Sequence, residues 1–199
     1  MHYTSYQNMK DTDLWELVLK GDMKAVSSLY REHYELLLNF GLKYTQDEDF
    51  VKDCIQDVFV KLCTSKRLSS TAYVRSYLLT ALKNTISDKM ASLKITEDLN
   101  EHFFEFRIED SALEALFKDN DEALQMSRKL ISAYKALPEN QRMAIWLHYV
   151  KGLSYKEMAA VMNIKPQSTM NLVSRALANL RSRMTLEEYL LLFALLCSR

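Results

Sequence analysis

The residues with the most evident chemistry lie between positions 165 and 181. Gln167 and Asn171 carry amides that can pair with an adenine edge, and Arg175 carries a guanidinium suited to guanine or phosphate. A helix that buries Thr169, Val173, Ala176, Leu177 and Leu180 leaves Gln167, Ser168, Met170, Asn171, Ser174 and Arg175 facing outward. Lys165, Arg181 and Arg183 flank that face and can neutralise phosphates. The chemistry is base and backbone recognition in a DNA groove.

Such a face needs elements that position it. Ser154-Tyr155-Lys156-Glu157 is a capping box, in which the serine caps the Glu157 amide and the glutamate reaches back. Gly152 ends the helix before it. A short helix follows, with Met158, Ala159 and Met162 facing inward. Asn163 suits the left-handed turn, Ile164 plugs that turn from below, and Pro166 suits the first position of the next helix. The pattern is a helix-turn-helix whose second helix enters the major groove. The plainer alternative is a helical hairpin with a polar solvent face.

Other chemistries find no support. His2, His33, His102 and His148 and the carboxylates show neither metal nor triad spacing, so no catalytic residue, metal or cofactor is expected. Cys54, Cys63 and Cys197 form no CxxC and read as three buried thiols. No apolar run reaches the 18 residues of a membrane span, and Met1–Lys10 lacks a signal-peptide core.

The chain that carries this module has 199 residues, 26 basic and 26 acidic, with only 3 Gly and 2 Pro. Average usage would give roughly 14 Gly and 10 Pro, so long helices with short connections are expected. A first helix from Asp13 buries Leu14, Trp15, Leu17 and Val18, and Gly21 and Asp22 separate it from the next. The second, to about Tyr44, shows Ala25, Val26, Leu29, Tyr30, Leu36, Leu37 and Phe40 at helical steps. The third opens at Asp47-Glu48-Asp49 and carries Phe50, Val51, Cys54, Ile55, Val58, Phe59 and Leu62. A basic connection, Lys66-Arg67-Leu68-Ser69-Ser70, leads to a fourth with Val74, Tyr77, Leu78, Ala81, Leu82 and Ile86.

Charge divides the chain further. Residues 91–125 hold three basic and ten acidic residues, and 126–199 hold eleven basic and four acidic, while 1–90 balance at twelve each. The expectation is an all-α protein: a helical domain at 1–90, an acidic linker at 91–125, a helix-turn-helix domain at 126–184 and an apolar helix at 185–199. The linker can fold over the basic face and weaken DNA binding by the chain alone. The tail, opened by Thr185-Leu186-Glu187-Glu188, is about half a bilayer long and reads as a docked helix.

Ala136-Leu137-Pro138-Glu139, Arg142, Gly152 to Ala159, Ser174-Arg175-Ala176-Leu177 and Leu180-Arg181 resemble region 4 of the extracytoplasmic-function sigma factors. Gly21-Asp22, Leu29-Tyr30, Asp53, Gln56 to Leu62, Tyr77-Leu78, Lys83-Asn84 and Asp88 resemble region 2. The two blocks stand in the family's order. The resemblance implies a cytoplasmic, dissociable subunit of bacterial RNA polymerase without enzymatic activity of its own. It would bind core polymerase and promoter DNA, reading the minus-ten element with region 2 and the minus-thirty-five element with region 4. An anti-sigma factor is the further partner implied.

On that resemblance, Asp49, Asp53, Gln56 and Asp57 dock on the polymerase clamp, with Phe59 in the core. The residues alone describe an ordinary solvated face. Lys66, Arg67, Arg75, Lys83 and Lys89 follow a separated strand, Ser69 and Ser70 lie in a loop that receives an extruded base, and Asn84 matches a family asparagine near that surface. Tyr77, on the apolar stripe, is expected in the core. Met170 and Leu172 stand where the family often has basic residues, leaving readout to Gln167, Ser168, Asn171 and Arg175. A helix-turn-helix regulator acting without core polymerase is the alternative.

Overall fold

The computed structural model describes residues 6, 9–65, 67–92, 129 and 131–197, with the side chains of 191 and 193–197 left aside. Almost all of the acidic linker, and Lys66 among the expected DNA contacts, therefore lie outside the described residues. The chain separates into two compact units, 1–103 and 104–199. No strand occurs among the described residues.

The first unit is a four-helix domain: α1 (Asp11–Leu19), α2 (Met23–Gly41), α3 (Glu48–Thr64) and α4 (Val74–Ser92). α1 begins two residues earlier than expected, with Asp11 and Asp13 in its first turn. Gly21 adopts φ +84°, and Asp22 then caps α2 by accepting from the Lys24 and Ala25 amides. Asp47 caps α3 in the same way through the Phe50 amide at 2.9 Å. α2 stops at Gly41, and the stretch to Tyr44 that the pattern assigned to it is a turn.

Leu14, Trp15, Leu29, Leu37, Phe40, Val51, Ile55, Leu78, Leu82 and Ile86 are fully buried where these four helices meet. Gly41 is the close point of the α2–α3 crossing. A Cβ there would collide with the Val51 side chain, so glycine lets the two backbones approach. Phe59 is buried, as its place on the stripe implies.

Several burial expectations are corrected here. Tyr77 is 38% exposed, because α4 turns Val74, Leu78, Leu79 and Leu82 inward and leaves Tyr77 at the rim. Tyr30 is 37% exposed and rests edge-on against Phe59 at 5.0 Å. Leu17 and Leu36 are only partly covered. Cys63 is exposed, since it continues the outward face of Gln56 and Val60, while Cys54 is buried.

In the second unit a helical turn at 131–135 leads through Pro138 to α5 (Glu139–Ile145), which continues as a π-helical segment, Trp146–Val150. α6 (Tyr155–Met162), α7 (Pro166–Arg181) and α8 (Leu186–Cys197) complete it. α7 packs on both α5 and α6, and α8 packs on the π-helical segment and α7. Leu192 of α8 is buried, whereas Leu186 and Leu190 are 63% and 58% exposed. The capping pattern expected at Thr185 is present: its amide donates to Glu188 Oε2 at 2.9 Å, and its hydroxyl accepts from the Glu188 amide at 3.3 Å. No helix among the described residues is long and apolar enough to cross a membrane.

Candidate nucleic-acid interface

The helix-turn-helix is held by local chemistry. The Ser154 hydroxyl accepts from the Glu157 amide at 3.4 Å, and the Ser154 amide donates to Glu157 Oε2 at 2.8 Å, closing the capping box. Gly152 has φ +66° and Asn163 φ +55°, the left-handed conformations that these turns require. Pro166 occupies the first turn of α7.

Two side chains fix the angle of α7. The buried Thr169 hydroxyl lies 3.1 Å from the Tyr155 carbonyl and 2.7 Å from the Pro166 carbonyl, tying the start of α7 to α6. Asn179 Nδ2 donates to Gln141 Oε1 at 2.8 Å, tying its far end to α5. The Arg142 guanidinium donates to the carbonyls of Lys135 and Leu137, securing the approach to α5. The Thr169–Tyr155 and Asn179–Gln141 ties join residues 14 and 38 positions apart, so no local pattern announces them.

The inward face of α6 is Met158, Ala159 and Val161, and Met162 is only partly covered. Met158 and Ala159 face inward as expected, and only the last position differs: Val161, one step of about 100° before Met162, takes the buried place. Ile164 does not plug the turn. It is 38% exposed, because its amide bonds back to the Ala159 carbonyl while the side chain stays on the rim. Leu177 is partly covered, and Thr169, Val173, Ala176 and Leu180 are buried.

Gln167, Ser168, Met170, Asn171, Ser174 and Arg175 are all exposed, as are Lys165 and Arg181 at the ends of α7. Gln167 Nε2 lies 3.4 Å from Asn171 Oδ1, so the two amides sit side by side one turn apart. The arrangement presents two amides, two hydroxyls and a guanidinium on one surface, the donors and acceptors that base edges require.

In the first unit the loop at 67–70 and α4 make a second surface. Arg67, Ser69 and Ser70 are exposed, Arg75 and Lys83 are partly covered, and Asn84 is exposed. Burial holds the Lys83 ammonium below the usual lysine value. A cleft of about 170 Å³ between α3 and α4 is lined by Lys61, Tyr77, Asn84, Thr85 and Asp88 among others. Lys89 is drawn away from this surface: its ammonium pairs with Asp57 at 2.7 Å, and that bond holds it above the usual lysine value.

Asp49, Asp53 and Gln56 are exposed along one stripe of α3, and Val60, at 52%, extends it. Asp57 stands apart, partly covered and engaged by Lys89. Spacing along α3 could not reveal this, because the partner lies on α4. Lys52 bonds Glu48 at 2.8 Å and Asp49 at 3.3 Å on the helix surface. Elsewhere, His33 Nε2 meets Asp11 Oδ1 at 3.0 Å with Glu32 close by, a grouping that the spacing of the histidines did not show.

Comparison with known proteins gives this geometry its context. The model described as Sigma-70 region 2 matches residues 29–94, and that described as Sigma-70, region 4 matches 127–180, together more than half of the chain. Among curated relatives, the ECF RNA polymerase sigma-E factor of Escherichia coli is 28% identical over 180 residues, 85% of this chain and 92% of its own. The ECF RNA polymerase sigma factor SigM of Bacillus subtilis is 23% identical over 162 residues, 79% of this chain and 94% of its own. A solved structure of CnrH in complex with the cytosolic domain of CnrY shares the fold at 21% identity and a TM-score of 0.56, covering 86% of this chain and 95% of that one. Both regions occur in order on a fold with the matching helices, and the relatives are matched over nearly their whole length. The chain belongs to the sigma-70 family and is an RNA polymerase sigma factor of the extracytoplasmic-function group.

Proposed function

We propose that the two units divide promoter recognition between them. α7 lies in the major groove of the minus-thirty-five element, with Gln167, Ser168, Asn171, Ser174 and Arg175 at base edges and Lys165 and Arg181 on phosphates. The observation that carries this is the continuous exposed face of α7, polar except for Met170, on a helix tied at both ends. Met170 lies on the same face and supplies an apolar contact, such as one to a thymine methyl. The loop at 67–70, with Arg67, Ser69 and Ser70, and α4, with Arg75, Lys83 and Asn84, engage the melted minus-ten strand, joined by Lys66 before the loop. Asp49, Asp53 and Gln56 form the docking face for core polymerase. Asp57 takes part through its bond to Lys89, by holding α3 against α4.

The working divisions of the chain are 1–90, 91–125, 126–184 and 185–199, and the protein acts in the cytoplasm, where core polymerase and promoters are. The CnrH structure contains a bound cytosolic domain of a second protein, which supports an anti-sigma factor as a partner here too. Site-specific photocrosslinking tests the division of labour. With the probe at Asn171, holoenzyme should label DNA near minus thirty-five; with the probe at Ser69, it should label the non-template strand near minus ten. Labelling at exchanged positions, or at neither, would refute it.

A further inference from the structure

The loop before α4 is held by α1, a helix 54 positions away in sequence. The Ser70 hydroxyl donates to Glu16 Oε1 at 2.6 Å, and Trp15 Nε1 donates to the Ser69 carbonyl at 3.0 Å. Trp15 is fully buried, and its ring meets Tyr77 of α4 edge-on at 4.8 Å. Two successive residues of α1 thus grip two successive residues of the loop, and one of them also backs the exposed tyrosine beside it. Glu16, Ser69 and Ser70 themselves remain exposed.

The direction of the serine bond has a chemical consequence. A hydroxyl has one hydrogen, and a carboxylate only accepts. With that hydrogen committed to Glu16, Ser70 Oγ offers only lone pairs outward. A base meeting this corner must bring donors. Adenine, cytosine and guanine carry exocyclic amino groups, whereas thymine has none, and its single donor, N3–H, is flanked by two carbonyls that are turned toward the same acceptor.

We propose that Glu16 is a positioning residue that sets the base preference of the loop. By fixing Ser70 as an acceptor, it favours an unpaired base with an exocyclic amino group over thymine. Trp15 holds the loop backbone at the height where this occurs. The inference rests on the promoter-melting reading of the loop given above and deepens it.

The test uses full-length protein with purified core polymerase. A DNA pool randomised across the melted segment is selected for open-complex formation, and base frequencies are read at each position for wild type, E16Q, S70A and the double variant. Wild type should disfavour thymine at one position by roughly fivefold, the scale of a single hydrogen bond. The glutamine amide of E16Q can donate to Ser70 and release its hydroxyl hydrogen, so thymine should rise toward parity at that position alone. S70A should change preference at the same position, and adding E16Q to it should change nothing more. If wild type selects a defined segment and E16Q keeps every preference, with or without a uniform loss of yield, Glu16 has no positioning role and the promoter reading stands. If wild type selects no bases in the melted segment, both fall.

Discussion

Gly41→Ala offers a sharp test of the packing that sets α3, and with it the acidic docking face, against α2. In an open helix this substitution would stabilise by up to about 1 kcal/mol, since alanine has the higher helix propensity. Here the added methyl runs into Val51, whose side chain is fully buried and has nowhere to go. Overpacking of this kind costs about 1–3 kcal/mol. Gly41 ends α2, so the propensity gain is partial, and the net expectation is a loss of about 1–2 kcal/mol. Val51→Ala alone removes two buried methyl groups and should cost about 2–3 kcal/mol. The double variant puts the new methyl into the space left by the old ones, so its loss should fall short of the sum by about 1 kcal/mol or more. Urea unfolding followed by Trp15 emission, in a Trp146→Phe background, reports on the first unit alone because the chain has only two tryptophans. A Gly41→Ala protein as stable as wild type, with an additive double variant, would refute the close-approach argument.

Further outcomes follow from the geometry. The hydrogen bond from His33, together with its charge and that of Arg75, holds the Asp11 carboxyl below its usual value of 3.8. A lowered folded-state pKa adds stability above the unfolded value that is lost as pH falls through the folded one. Asp11→Asn should therefore lower stability at neutral pH and flatten the loss below about pH 3.8, as read by acid titration of Trp15 emission. Asp53→Lys should weaken binding to core polymerase severalfold through charge reversal at the exposed stripe. Asp57→Lys should lower the stability of the first unit by up to about 1 kcal/mol, an effect that Lys89→Asp restores; equilibrium binding and urea melts separate the two effects. Asn171→Ala should relax base selection at one minus-thirty-five position by about 1–3 kcal/mol, while Arg181→Ala should weaken all sequences alike and reduce the salt dependence of binding.

What could be read from the sequence was local. The capping box at Ser154, the left-handed Asn163 and the proline at the start of α7 each depend on residues within one turn of one another, and all three are present. The outward set on α7 was legible for the same reason, because a helix repeats over a few residues. Burial at the edges of stripes was not. Met162 and Tyr77 are apolar or aromatic residues near a helix-face boundary, where one step of rotation decides exposure, and Ile164 lies in the turn between two helices, where no periodicity applies. Contacts across helices were invisible. The grip of Trp15 and Glu16 on the loop, the Asp57–Lys89 pair and the Asn179–Gln141 tie join residues 32 to 54 positions apart, with no spacing rule to betray them. The zero net charge is uninformative as a total, because it conceals a basic module next in sequence to an acidic stretch, and only a segment-by-segment count separates them.

The central claim is that this protein confers promoter choice on RNA polymerase, and reconstituted transcription with purified core tests it most directly. Full-length protein added to core should form a stable complex and yield transcripts from a small set of start sites sharing an upstream sequence, with core alone silent at those sites. Tight dimeric binding to a palindrome without core, and no change in the start sites used by polymerase, would contradict the account.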